Sequence, residues 1–107
     1  MNKSEIEKAL GEIVKRIVNT AHPSRIILFG SAARGEMGRH SDFDLLIVVP
    51  PTVHRRMTAQ KIYRNLIGVG MGADIVVVTE SDIERYKNNS GLVIKPALQE
   101  GRTLYAA

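Results

Sequence analysis

The first twenty residues carry apolar side chains at the spacing of one helix face. Their recurrence at three- and four-residue intervals predicts an amphipathic α-helix over residues 4–20. Ser4 and Glu7 stand at the spacing of a capping box, so Ser4 is expected to cap this helix. His22 and Pro23 are expected to end it. The apolar positions are Ile6, Leu10, Ile13, Val14 and Ile17.

Three later apolar runs are short and rich in β-branched residues, which is typical of strands. They cover residues 25–29, 43–49 and 73–78. Pro50 and Pro51 close the second run, because neither residue continues a strand ladder. The third run is almost continuously apolar, so we expect a strand that is buried on both faces.

A second long helix is predicted between the second and third strands. Thr52 is expected to cap it, and Gly68, Gly70 and Gly72 predict a flexible exit from it. A short helical turn is expected earlier, over residues 31–35. The apolar side of the long helix consists of Val53, Met57, Ile62, Tyr63, Leu66 and Ile67.

The last quarter of the chain predicts two short helices and an edge strand. A Ser-x-x-Glu pattern at residues 81–84 indicates the start of the first helix. Pro96 is expected either in the first turn of the second helix, where its missing N–H costs nothing, or at a break there. Gly101 is expected to end that helix. Residues 103–105 are expected to add the strand.

This alternation of helices and strands predicts the fold class. We expect one α+β domain over residues 1–107, α/β-like in its element order, with a small mixed β-sheet and helices packed against it. The link between the first two strands is too short for a crossover helix, so a fully parallel sheet is not expected.

Composition narrows the class of protein only a little. No apolar run reaches the roughly 20 residues of a membrane-spanning helix, so no membrane partner is expected. The chain has no cysteine, and its first residues lack the apolar stretch of a secretory signal; both observations favour a cytoplasmic location. The formal net charge of +4 favours an anionic partner such as a nucleotide, RNA or an acidic protein surface, although solubility alone would explain it.

The chemistry-bearing residues begin where the first strand ends. Gly30 lets the backbone approach a ligand closely, and the N–H groups that follow it suit the binding of phosphates. Arg34 lies one helical turn beyond Ser31, so its side chain could reach the same phosphates. A strand-to-helix turn with a capping serine is the plainer interpretation of the same residues.

Two aspartates stand at the start of the second strand, at positions i and i+2. Side chains at that spacing share one face of a strand, so Asp42 and Asp44 should project together and repel each other. Mg²⁺ prefers such oxygen ligands and keeps coordination positions for phosphate oxygens. Solvated residues at a strand start are the alternative, but burying two unpaired acids ahead of an apolar run would cost several kcal/mol.

In order and spacing, these residues resemble the signature of the DNA polymerase β-like nucleotidyltransferase superfamily. The matching pattern is Gly30-Ser31-x-x-Arg34-Gly35 followed by Ser41-Asp42-x-Asp44. The small size of the chain resembles the minimal nucleotidyltransferase branch, and the likeness extends over nearly the whole chain. That family uses a third carboxylate on a neighbouring strand, and Asp74 is the residue that matches it.

The resemblance implies a set of site residues and a cofactor. Asp42, Asp44 and Asp74 would be the catalytic and metal-binding residues, with two Mg²⁺ ions in the active complex. Asp74 would also accept the proton of the attacking hydroxyl. The nucleotide-binding residues would be Gly30, Ser31, Arg34 and Ser41.

The resemblance also implies an activity and a partner. The chain would move a nucleoside monophosphate, AMP from ATP in the favoured case, to a protein or other acceptor hydroxyl. It would pair with a small helical protein of the HEPN type, as the antitoxin of a toxin–antitoxin module. A homo-oligomer is left open.

Other functions fit parts of the sequence. A non-catalytic antitoxin, or binding module, would keep the fold and neutralise its partner by contact alone. The second long helix has a basic side that could contact nucleic acid, but the chain has few aromatic residues for stacking, so nucleic acid is not expected as the main partner. That basic side consists of Arg55, Arg56, Lys61 and Arg64.

Overall fold

A computed structural model describes residues 2–36 and 42–107 of the chain, and four strands and five helices alternate along them. The sequence predicted the type and order of all of these elements, and their bounds differ by a few residues. In chain order the elements are α1 (Lys3–Ala21), β1 (Arg25–Phe29), α2 (Gly30–Ala33), β2 (Phe43–Val49), α3 (Arg55–Asn65), β3 (Ala73–Thr79), α4 (Glu80–Tyr86), α5 (Ile94–Glu100) and β4 (Arg102–Ala106).

The four strands form one mixed sheet in the order β3-β2-β1-β4. β1 pairs antiparallel with both β2 and β4, whereas β2 and β3 run parallel. The helix α3 makes the crossover that two parallel neighbours require. The predicted mixed sheet with packed helices is therefore confirmed.

Alternation along the strands divides the hydrophobic core between the two faces of the sheet. One face packs against α1 and α3, and its buried strand residues include Ile26, Leu45 and Ile47. The opposite face packs against α4 and α5, and includes Leu46 and Val48. We call them the α1/α3 face and the α4/α5 face.

The strand β3 is less buried than its composition predicted. It lies at one edge of the sheet, so β2 covers only one of its sides. Ile75 and Val78 are buried, but Val76 and Val77 are only half-buried. The strand that is covered on both faces is β2, whose residues 45–49 are all buried.

The two long helices begin at caps other than those predicted. Asn2, not Ser4, caps α1, because its side-chain oxygen accepts a backbone N–H three residues on, at 2.8 Å. His54, not Thr52, caps α3 in the same way through Nδ1, at 3.2 Å. A turn closed by the Val53 N–H delays the start of this helix.

The apolar side predicted for α3 is only partly buried. Ile62 is fully buried, but Met57 is 54% exposed and Ile67, beyond the end of the helix, is 78% exposed. Thr58 takes a buried place instead, since its hydroxyl donates to the His54 carbonyl at 2.8 Å.

The helix α4 is fixed by a polar cluster at the end of β3. Thr79, not Ser81, is its cap, and Thr79 and Asp82 form a reciprocal capping box. Asp82 also accepts Arg55 Nη1 at 2.6 Å, which ties α4 to α3. Burial alone would raise the pKa of Asp82, but hydrogen bonds from Thr79 and Arg55 and the charge of Arg55 lower it.

The C-terminal elements agree with the sequence. Pro96 lies in the first turn of α5, Gly101 ends that helix, and β4 contains the predicted residues 103–105 at the other edge of the sheet. Within the described ranges, no helix has the length and apolar character needed to cross a membrane.

Candidate active site

Two carboxylates meet where β2 and β3 begin. Asp44 and Asp74 are register partners in the parallel ladder, so their side chains lie side by side on one face of the sheet. That face is the α4/α5 face, because Leu46 and Val48 follow Asp44 at alternate positions. Asp44 is half-buried, whereas Asp74 is exposed.

Asp42 lies at the same end of the sheet, directly before β2. Its carboxyl group rests on Gly72, the residue before β3: a Cβ placed on Gly72 would be 2.7 Å from Asp42 Cγ. A hydrogen bond from the Phe43 N–H to the Gly72 carbonyl, 3.0 Å long, holds these two backbones together.

The end of β1 lies next to Asp44. Phe29 is the antiparallel register partner of Asp44, and Gly30 follows it with a φ of 72°. A Cβ on Gly30 would overlap Asp44 Oδ2 and would lie 3.2 Å from its Cγ. Only glycine satisfies both conditions here, the left-handed backbone and the contact with the carboxyl group.

The electrostatic environment of Asp44 disfavours its charge. Burial raises the pKa of Asp44, the neighbouring charges of Asp74 and Asp42 raise it further, and Arg34 acts in the opposite direction. A carboxyl group surrounded in this way is stabilised when a cation binds beside it.

Arg34 directly follows α2, within the electrostatic reach of Asp44. Its Nε donates to Glu36 Oε2 at 2.9 Å, and about half of its side chain is exposed. The hydrogen bond and the charge of Glu36 raise the pKa of Arg34, with a smaller contribution from Asp44.

The structure thus brings most of the predicted site residues to one end of the sheet. They are Gly30, Ser31, Arg34, Asp42, Asp44 and Asp74. The predicted nucleotide-binding Ser41 lies outside the described residues. Gly72 was not predicted as a site residue, because the sequence indicated only a flexible exit from the second long helix. The one signal for its role was its position directly before the third predicted strand.

The donor chemistry of this end of the sheet suits a divalent cation, because three carboxylates repel one another there. Among residues 2–36 and 42–107, however, no group of three His, Asp or Glu side chains is already close enough to hold a metal ion.

An apolar groove lies apart from these carboxylates, along the outer edge of β3. Its volume is about 570 Å³, and it lies between the first turn of α3, α4 and the segment before α5. Leu92 and Val93, which are 40% and 38% exposed, contribute to its wall together with Arg56 and Tyr86.

Solved structures share this fold. A toxin–antitoxin structure with AMP-PNP is 23% identical, with a TM-score of 0.62 over 91% of this chain and 73% of that chain. A putative nucleotidyltransferase from Sulfolobus solfataricus is 22% identical, with a TM-score of 0.64 over 99% and 90%. A mutant of the MntA-HpeT toxin–antitoxin is 21% identical, with a TM-score of 0.52 over 100% and 75%.

At these identities the likeness establishes the fold and no more, and no curated protein sequence matches the chain significantly. A family model gives the closer assignment. The model of the nucleotidyltransferase domain matches residues 4–104, which is nearly the whole chain. Domains of this family generally use divalent metal ions. The chain belongs to the nucleotidyltransferase domain family.

Proposed function

We propose that this protein transfers a nucleoside monophosphate, AMP from ATP, to the hydroxyl group of an acceptor. The observation that carries the proposal is the pairing of Asp44 with Asp74 in register on parallel strands, with Gly30 packed against Asp44. The fold supports ligand binding at this place, because only glycine fits at position 30 and the half-buried carboxylate of Asp44 faces two others.

Asp42, Asp44 and Asp74 would hold the divalent cation, and Mg²⁺, as two ions, suits their oxygen atoms best. When bound, Mg²⁺ supplies positive charge to the phosphates and to the departing pyrophosphate. The pKa of Asp44, which is raised by burial and then by the charges of Asp74 and Asp42, supports this assignment, because a bound cation would stabilise the charged form.

The phosphates of the nucleotide would lie between the end of β1 and Arg34. Gly30 lets the backbone approach them, Ser31 offers its hydroxyl and its N–H, and Arg34 offers a planar pair of donors. We assign Ser41 to the same phosphates from the sequence alone. The AMP-PNP in the similar toxin–antitoxin structure supports the choice of an adenine nucleotide.

The transfer exchanges the phosphoanhydride bond between the α- and β-phosphates of ATP for a phosphoester bond to the acceptor. The oxygen of the acceptor forms a bond to the α-phosphorus, the bond from that phosphorus to the bridging oxygen breaks, and pyrophosphate leaves with the electron pair. The proton of the acceptor hydroxyl passes to Asp74, which is exposed at the edge of the site. Positioning and charge neutralisation carry this chemistry without a covalent enzyme intermediate.

The acceptor would be a hydroxyl-bearing side chain of a partner protein. The two toxin–antitoxin structures that share the fold support a toxin as partner. We propose a small helical protein of the HEPN type, with this chain as the antitoxin that modifies it.

The test is an incubation of the protein with α-labelled ATP, Mg²⁺ and the product of the neighbouring gene. We expect label on the partner with wild type and with Glu84→Gln, a change of an acidic residue on the exposed side of α4, and none with Asp44→Ala. In parallel, Mg²⁺ with ATP should raise the melting temperature by mass action. An unchanged melting temperature at millimolar nucleotide would contradict the proposal without depending on the choice of partner.

The groove along β3 favours one second candidate function, a binding module that neutralises its partner by contact. Its apolar wall and the half-buried edge strand offer a contact surface apart from the carboxylates. Asp42→Asn separates the two functions: it should impair neutralisation if transfer is required, and leave it intact if contact alone suffices.

A further inference from the structure

Gly72 is the residue on which the carboxyl group of Asp42 rests. We propose that Gly72 is a positioning residue of the nucleotidyltransferase site: because it has no side chain, the Asp42 carboxyl group can lie beside Asp44. This inference deepens the proposed function and rests on it for the role of Asp42 in cation binding.

The contact at Gly72 leaves no room for a side chain. An added Cβ would overlap Asp42 Oδ1, and it would lie 2.7 Å from Cγ and 3.3 Å from Oδ2. The carboxyl group of Asp42 thus occupies the space that any other residue at position 72 would fill. In contrast, a Cβ on any of four other glycines would meet no atom within 4 Å; these are Gly11, Gly35, Gly68 and Gly70.

The backbone on either side of this contact is fixed. The Gly72 carbonyl accepts the Phe43 N–H at 3.0 Å, and the Phe43–Ala73 pair opens the parallel ladder one residue further on. Phe43 itself is fully buried, so its strand cannot shift without disturbing the core. The Asp42 side chain is exposed, so it is the part that would give way.

Backbone conformation does not explain a glycine at this position. Gly68 and Gly70, in the same loop, have a φ of 89° and need glycine for that reason. Gly72 is not among the glycines with positive φ, so alanine fits its backbone. Gly72→Ala is therefore a selective change: the fold is kept and the Asp42 carboxyl group is displaced.

The experiment compares Gly72→Ala with Gly11→Ala, a glycine substitution on the surface of α1. Crystal structures of both variants without added metal would give the position of Asp42, and titration with Mn²⁺ would give the affinity of the site for a divalent cation. We expect Gly72→Ala to move the Asp42 carboxyl group and to weaken Mn²⁺ binding by about tenfold, as for changes that reorient a ligand. Gly11→Ala should change neither.

A double-mutant cycle tests whether Gly72 acts through Asp42. In the Asp42→Ala background the collision is removed, so Gly72→Ala should change neither Mn²⁺ affinity nor melting temperature. A tenfold loss that persists in that background would overturn the inference. It would be overturned equally if Asp42 did not move in Gly72→Ala, or if Gly72→Ala failed to fold even together with Asp42→Ala.

The readouts keep the two proposals apart. If Asp42 moves in Gly72→Ala but wild type itself binds no Mn²⁺, the proposed cation-dependent transfer fails while the packing role of Gly72 stands. If wild type binds Mn²⁺ and Gly72→Ala binds it equally well, the inference fails while the proposed function stands.

Discussion

Asp44 and Asp82 are both partly buried carboxylates, but they lie near opposite ends of β3. Asp82 accepts hydrogen bonds from Thr79 and from Arg55, and these lower its pKa. Asp44 is packed against Gly30 and faces two other acids, and burial and those charges raise its pKa. Among the residues that the structure describes, Arg55 pairs directly with Asp82, whereas Arg34 acts on Asp44 only through its charge.

This difference separates a structural carboxylate from a candidate functional one. The charge of Asp82 is used within the fold, since it caps α4 and joins that helix to α3. Burial and the charges of Asp74 and Asp42 disfavour the charge of Asp44, so a cation that binds beside this carboxylate would stabilise it. The two residues should therefore respond to mutation in opposite ways.

The largest effect is expected on the proposed nucleotidyl transfer, when Asp44 is changed. Asp44→Ala should reduce nucleotidyl transfer by about 100-fold or more, or about 2.7 kcal/mol, because it removes a central oxygen ligand. A label-transfer assay with the partner protein measures this loss. The melting temperature should not fall, and a sharp fall would instead make Asp44 a structural residue like Asp82.

The next largest effect is expected on the stability of the fold, when Asp82 is changed. Asp82→Ala removes the capping box of α4 and the ion pair with Arg55, so it should lower the free energy of unfolding by about 2 kcal/mol. Urea denaturation measures the loss, with Glu84→Ala as a surface control expected within about 0.5 kcal/mol of wild type. Equal stability of the Asp82 and Glu84 variants would show that Asp82 does not stabilise the fold, and the distinction between Asp82 and Asp44 would be lost.

Two arginines, Arg55 and Arg34, differ in the same way as the two carboxylates that they influence. Arg55 donates directly to Asp82, whereas Arg34 donates to Glu36 and only influences Asp44 from a distance. Arg34→Gln should therefore weaken the binding of ATP by about tenfold, or about 1.4 kcal/mol, with little change in stability.

Isothermal titration of each variant with ATP and Mg²⁺ measures this affinity. Arg64→Gln, in the last turn of α3, is a control of the same chemistry and should bind as wild type does. Equal losses in both variants would indicate an effect of net charge and not of position.

The smallest effect is a gain in stability. Because the folded protein holds the proton of Asp44 more tightly than the unfolded chain does, protonation of Asp44 stabilises the fold. This stabilisation is complete below the ordinary pKa of 3.8 and is lost as the pH rises through the raised pKa of Asp44 in the folded protein. Asp44→Asn should therefore raise the free energy of unfolding at pH 7 by about 0.5–1 kcal/mol, a modest value because the side chain is partly exposed to water.

Thermal denaturation across the acid range tests the sign of this effect. The gain of Asp44→Asn over wild type should shrink as the pH is lowered and should vanish below the ordinary pKa. Asp82→Asn should behave in the opposite way, being less stable than wild type at pH 7, because the pKa of Asp82 is lowered. A gain for both variants, or for neither, would contradict the comparison.

Much of this fold could be predicted from local patterns. The apolar run of residues 43–49 predicted β2 without error, and Pro96 and Gly101 placed α5 correctly. The predicted capping residues were wrong because several polar side chains can accept the same unpaired N–H groups at a helix start. The path of the chain decides which one does, and in α1 it is Asn2 and not Ser4. The predicted burial of β3 was wrong because composition does not reveal which strand lies at the edge of the sheet.

The candidate site could be predicted only as far as its members lie close in the sequence. The spacing of Asp42 and Asp44 is visible in the sequence, and the family resemblance suggested Asp74. The contact between Gly72 and Asp42 joins residues thirty positions apart through the register of two strands, which no local pattern records. The same holds for the contact of Gly30 with Asp44.

The register of β2 against β3 restricts how the segment between α3 and β3 can vary in length. A slip of one residue would turn Asp74 from the α4/α5 face to the opposite one, among the apolar side chains that α1 and α3 cover. Single-residue insertions or deletions near residue 72 would therefore damage the core and the chemistry together. Libraries that diversify this loop should keep its length and vary its side chains, sparing Gly68, Gly70 and Gly72.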